Sequence, residues 1–136
     1  MDKGKRKSHR DLIVWQKALE LAKVIHVTIL GFPKHELFGL TPQLRRASVS
    51  IASNIAEGAA RASTKEFLHF IHIARGSHAE AETQLLLAVN IGYLADLKAV
   101  QRHLEEVGKL INAVISGLKR REQHRLHRPS ALSPTP

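Results

Sequence analysis

The stretch LKAVQRHLEEVGKLINAVISGL, residues 97–118, decides the fold. In it Leu97, Val100, Leu104, Val107, Ile111, Val114 and Leu118 alternate steps of three and four. A seven-residue repeat of this kind sets one apolar stripe against a neighbouring helix at a shallow angle of roughly 20°. Leu110 and Ile115 widen the stripe, so this helix meets more than one neighbour. Upstream, STKE at Ser63 to Glu66 has the form of a capping box and opens a helix running to about Ile91, with Gly92 placed to cap its end. A further helix starts at Thr41-Pro42, where threonine can cap and proline is tolerated in the first turn, and closes near Gly58 to Arg61. The first helix covers about Asp11 to Leu30, its stripe read as Leu12, Trp15, Leu19, Ala22, His26 and Ile29, and Gly31-Phe32-Pro33 stops it. No segment has a strand's alternation. Four helices with short connections predict an all-α, antiparallel, up-down-up-down bundle over residues 11–118. A basic arm, residues 1–10, precedes it. Residues 119–136, basic and then rich in Pro and Ser, are expected to fray into a disordered tail.

Composition narrows the classes of function. At 136 residues the chain suits one domain with one core. Having no cysteine, it can build neither a disulfide framework nor a thiolate metal site. Its apolar runs are broken by charge within a few residues, and the basic start leads into an amphipathic pattern containing Asp11 and Glu20. The expectation is a cytoplasmic protein without a membrane span.

The net charge is +9, and most of it lies at the two ends of the chain. Residues 1–10 carry five Lys/Arg against Asp2, and residues 119–136 carry five against Glu122, so the body between is nearly neutral. Basic arms can neutralise phosphates in a salt-dependent, sequence-tolerant way. The candidate phosphate contacts are Lys3, Lys5, Arg6, Lys7, Arg45, Arg46, Lys119, Arg120 and Arg121. Tails that serve only to solubilise are the competing reading. One Trp, one Tyr and four Phe leave little material for a base-stacking platform.

SIASNIAEGAARAS, residues 50–63, adds a second pattern. At 100° per residue Gln43, Ala47, Ser50, Asn54, Glu57 and Arg61 share a sector of about 80°. Beside it lies a core face of Leu40, Leu44, Ile51, Ile55 and Ala62. Val49, Ala52, Ala56 and Ala60, with Arg45 among them, form a third, small-residue face. A monomeric bundle helix needs one buried stripe, and a second suggests a subunit interface. The polar side chains Gln43, Ser50, Asn54, Glu57 and Arg61 either face water or form a hydrogen-bonded network between helices or subunits.

Several of these segments resemble one family. DLIVWQKA (11–18), FP-x-x-E (Phe32, Pro33, Glu36), FGLTPQLRRA, SI-x-SNIAEG, IARGS (73–77), E-x-E-T-Q-L (80–85) and GYL (92–94) are similar to the signature of 23S rRNA intervening-sequence proteins. That family also takes in accessory variability determinants of diversity-generating retroelements. The resemblance spans roughly residues 11–118. It implies a four-helix bundle assembled into a ring-shaped homo-oligomer, typically a pentamer. For the retroelement relatives it implies basic adaptors that bind nucleic acid and a reverse transcriptase. Two positions depart from the pattern: Ala52, where relatives often have proline, and His78, where an apolar residue is more usual. The first implies a straighter second helix.

Enzymatic readings find little support. Glu66-Phe-Leu-His69 has the Glu-x-x-His spacing of di-iron carboxylate bundles, but such sites need a second copy of the motif and two further glutamates. No second copy occurs, and His69, His72 and His78 are neighbours on one helix. No nucleophile elbow is present. The expectation is therefore a protein without catalytic residues, metal or cofactor. Two roles remain open: an oligomeric adaptor for RNA or cDNA, with a reverse transcriptase as a possible partner, or a protein-binding scaffold.

Overall fold

The structure, a computed structural model, describes residues 8–127. Among them are four α-helices and no strand: α1 (Ile13–Thr28), α2 (Leu40–Ala59), α3 (Thr64–Asn90) and α4 (Lys98–His127). Short 3-10 turns at His9–Asp11, Ile29–Gly31 and Lys34–Glu36 precede α1 and link it to α2. None of the four is long and apolar enough to cross a membrane.

All four helices contribute to one hydrophobic core, in which Leu21, Ile25, Leu44, Ile51, Ile55, Ile71, Leu85, Leu104 and Ile111 are fully enclosed. The repeat in α4 supplies Val100, Leu104, Val107, Ile111 and Leu118; Ile115 joins them in the core, and Leu97, Leu110 and Val114 pack at its margin. Contacts along the seams pair rising numbers with falling ones. Between α2 and α3 the pairs are Gln43 with Gln84, Ser50 with Ser77, and Gly58 with Phe67. Lys17 of α1 meets Glu106 of α4, while Val27 and Thr28 share a groove with Ala99.

The first helix keeps only part of the stripe read from the sequence: Ala22 and Ile29 are buried and Leu12 and Trp15 pack at the core's margin. Its buried residues are Val14, Ala18, Leu21, Ala22 and Ile25, with Ile29 just beyond; Leu19 is exposed, and Trp15 and His26 are half-buried. The chain offers two apolar stripes on α1, and the aliphatic one of smaller residues interdigitates with the core. Ala62 is likewise exposed, because α2 has already ended at Ala59.

The helix ends correct three expectations. α2 begins at Leu40, so Thr41 is a buried helical residue and not its cap. Gly39 occupies the N-cap, and Glu36 takes over the capping chemistry, its Oε1 accepting the Leu40 N–H at 2.9 Å. At α3, Ser63 Oγ accepts from the Glu66 N–H at 3.1 Å, but Glu66 Oε1 turns to the Ser63 hydroxyl at 3.2 Å, so only half of the capping box forms. The segment expected to fray after Leu118 continues as helix to His127. Lys, Arg, Glu and Gln are good helix formers, and the Arg125 guanidinium holds Glu122 one turn back at 2.7 and 3.3 Å. Gly92, with φ +86°, ends α3 in the left-handed region that glycine adopts without strain.

Both sequence departures are accommodated. Ala52 is buried in an unbroken α2. His78 donates from Nε2 to the Leu104 carbonyl at 2.7 Å, and it fits because Gly108 faces it: a Cβ there would lie 3.2 Å from His78 Cε1.

Candidate nucleic-acid interface

The polar face of α2 divides into three environments. Near its start, Gln43 Oε1 accepts from Gln84 Nε2 at 3.3 Å, and the same amide donates to Glu80 Oε1 at 3.3 Å. Gln84 is only 9% exposed, and its Oε1 has no partner. At mid-helix, Asn54 Nδ2 donates to the Ser50 carbonyl (2.8 Å) and to Ser50 Oγ (2.9 Å), and Ser50 Oγ lies 2.8 Å from Ser77 Oγ on α3. At the end, Glu57 and Arg61 form an exposed ion pair at 2.9 Å, with the Arg61 guanidinium 4.8 Å above the Phe70 ring. Gln43 and Ser50 thus reach α3, whereas Glu57 and Arg61 sit at the surface.

Of the candidate phosphate contacts, Lys3, Lys5, Arg6 and Lys7 lie outside the described residues. The remaining ones fall into two separate places. Arg45 and Arg46 are exposed on the first half of α2 and line a shallow groove with Pro42, Val49, Ser53 and Asn54. Lys119, Arg120 and Arg121 are exposed on the last part of α4. Arg45 lies near the level of the Gln43–Gln84 pair. Lys119 is close enough to His72 to act on its charge, and Glu122 is similarly near Lys65, at the opposite end of α3. The fourteen residue steps from Arg45 to Ala59, the last residue of α2, correspond to about 21 Å of helix axis.

At that opposite end the chain gathers further cationic groups which the sequence reading left out. Arg75 Nη2 is 3.3 Å from His72 Nδ1. Burial, then the positive charges of Arg75 and Lys119, hold the His72 imidazole below its ordinary pKa. His9 of the first turn lines one groove with Glu57 and Arg61, and Arg61 lines another with Lys65 and His69. The beginning of α1, the α2–α3 turn and the last turns of α4 therefore meet at one end of the molecule. The sequence showed basic arms, but their neighbours Lys65, His72 and Arg75 come from a different helix, and no local spacing announces them.

Two histidines make contacts within the bundle. His69 packs edge-on against Phe70, and His26 Nδ1 donates to the Ala22 carbonyl at 2.8 Å. No cluster of three His, Asp or Glu side chains arranged to hold a metal occurs among the described residues.

The family model for 23S rRNA-intervening sequence proteins matches residues 10–113. The chain belongs to this family. A crystal structure of a protein of unknown function from the S23 ribosomal protein family of Bacteroides thetaiotaomicron is similar in fold. It is 22% identical, with a TM-score of 0.55 over 79% of this chain and 96% of that one. No curated protein matches the chain. In this 23S rRNA-intervening sequence protein two segments quoted above form one contact. Glu36 of FP-x-x-E accepts from the Tyr93 hydroxyl of GYL at 2.6 Å, while His35 Nε2 donates to the same hydroxyl at 2.9 Å. The matched region stops short of Lys119, so the basic end of α4 lies beyond it.

Proposed function

We propose that this protein is a non-enzymatic, cytoplasmic adaptor: an antiparallel up-down-up-down bundle that assembles into a ring and contacts RNA or cDNA through its basic end. The observation that carries the reading is the convergence of α1's start, the α2–α3 turn and the end of α4, which brings Arg61, Lys65, Arg75 and Lys119 to one pole. Opposed numbering along the helix seams supports the antiparallel arrangement. Self-association is supported by the second apolar stripe of α1, where Trp15, Leu19 and His26 line an open groove with Val49 of α2. A pentamer and a reverse transcriptase partner rest on the family resemblance. A ring multiplies weak basic contacts into avid ones.

The test is a salt titration of binding to single-stranded RNA, with light scattering on the same sample to count subunits. The adaptor reading expects an oligomer whose affinity falls steeply with salt. An oligomer that ignores RNA at low salt overturns it.

One observation favours a second reading, a protein-binding scaffold. The α1–α2 connection exposes Leu30 (79%), Leu37 (59%) and Phe38 (95%) together in sequence. Recovery of one protein partner, without nucleic acid and regardless of the arms, would select that reading.

A further inference from the structure

The seam between the first half of α3 and the last third of α4 is chemically one-sided. Arg75 and His72 stand one turn apart on α3, with Lys119 across the seam on α4. Because a guanidinium only donates, the 3.3 Å contact makes His72 Nδ1 the acceptor and leaves its proton on Nε2. The three side chains then offer a guanidinium fork, an imidazole N–H and an ammonium. Among the described residues, no carboxylate lies within ion-pair distance of Arg75 or Lys119. Glu122, one turn beyond Lys119 on α4, is already held by two hydrogen bonds from Arg125. Gly76, next to Arg75, is exposed, and a Cβ built on it would meet nothing within 4 Å.

We propose that this α3–α4 seam, through Arg75, His72 and Lys119, is a rigid docking surface for the phosphodiester backbone of a nucleic acid. The proposal rests on the adaptor reading and sharpens it by moving the principal contact from the arms to ordered helix. Three features select a polymer backbone. From Lys65 to Arg75 the cationic groups spread over about 15 Å of helix axis, roughly four phosphates of one strand at about 3.4 Å each, which no single small anion spans. Arginine's planar fork suits phosphate oxygens. Phe70, which lines a groove with Arg61 and Lys65, carries the Arg61 guanidinium 4.8 Å above its ring, a place a stacked base would need. The surface therefore reads charge and spacing, and single strands and duplexes both bind.

The experiment compares the full-length protein with two variants of equal charge change, Arg75→Glu/Lys119→Glu and, at the start of α4, Lys98→Glu/Arg102→Glu. All four side chains are exposed, and circular dichroism and thermal melting check that both variants fold. Binding to a fluorescent RNA homopolymer is followed by anisotropy across a salt series. The seam variant should lose affinity about tenfold or more and flatten the log–log salt slope by about two, while the Lys98/Arg102 variant stays close to the parent. Equal losses in both variants would reduce the effect to net charge and overturn the seam. An unaffected seam variant would overturn it while leaving the adaptor reading intact. A parent that does not bind at low salt overturns both. Polyglutamate that competes as well as RNA at equal charge concentration would overturn the phosphate assignment in favour of an acidic protein.

Discussion

Glu36 and Tyr93, 57 residues apart, share a 2.6 Å hydrogen bond in which the phenol donates to Oε2, while Oε1 accepts the first free N–H of α2 from Leu40. One carboxylate thus replaces the missing side-chain cap of α2 and ties it to the α3–α4 connection. The Leu40 N–H and then the Tyr93 hydroxyl hold Glu36 below its ordinary pKa of 4.5, and Tyr93 is pushed up in return. A carboxylate with a lowered folded-state pKa stabilises fully above its unfolded value, and that contribution is lost as pH falls through the folded value. Tyr93→Phe should therefore lower the melting temperature at pH 7 and give a shallower loss of stability below pH 4.5. Melts across pH 3–7 check this, and an unchanged pH profile refutes it.

Two glycines at helical positions should respond in opposite directions to alanine. At Gly58 a Cβ would lie 2.8 Å from Phe67 Cδ1, 2.9 Å from Phe70 Cβ and 3.2 Å from the Phe67 carbonyl. Overpacking there should cost about 1–3 kcal/mol, more than helix propensity returns. Gly76 is unobstructed, so Gly76→Ala should stabilise by about 0.5–1 kcal/mol. Urea denaturation of both variants measures the contrast, and the same sign for both would refute it.

Gln84 donates twice, but its carbonyl oxygen is buried without a donor. Removing an unsatisfied buried polar group while keeping the volume can be neutral or favourable. Gln84→Met should stay within about 1 kcal/mol of the parent or exceed it, whereas Gln84→Ala should lose more through the cavity it leaves. A large loss in the methionine variant would mean that the Gln43–Gln84 bond outweighs the orphaned carbonyl.

The depressed pKa of His72 can be read directly by NMR titration. Lys119→Gln removes one of the two positive charges acting on it and should raise its pKa toward 6.5. Because folding weakens proton binding at His72, its contribution to stability is full above pH 6.5 and declines as pH falls below that. No movement in the variant would leave burial and Arg75 as the causes and refute a contribution from Lys119.

Much of the architecture was legible because it rests on periodicity. The 3-4 spacing of α4 named Val100, Leu104, Val107, Ile111 and Leu118 as core, and the apolar face of α2 named Leu44, Ile51 and Ile55. On α1 the same method was half right: Ala22 and Ile29 are buried and Leu12 and Trp15 pack at the core's margin, but Leu19 is exposed, and the buried Val14, Ala18, Leu21 and Ile25 form a stripe as regular that only packing selects. The cap of α2 was misread because a side chain four residues before the helix takes the place expected of Thr41, Glu36 accepting the Leu40 N–H. The basic surface was half legible. Lys119, Arg120 and Arg121 stood out as a run, while Arg75 and His72 acquire their meaning from a neighbour more than forty residues away. His78 looked misplaced until Gly108, on another helix, was found to make room for it.

The close approach at Gly58 has a mechanical consequence. Sliding α2 by one turn, about 5.4 Å, would lift its glycine off Phe67 and drive a larger side chain into the gap, while separating Ser50 from Ser77. The pair has a single register, so α2 and α3 act as a stiff strut. The 27 residues of α3 set that strut's length at about 40 Å. Whatever binds at the cationic pole is thereby held a fixed distance from the exposed Phe38 at the other, as by a ruler.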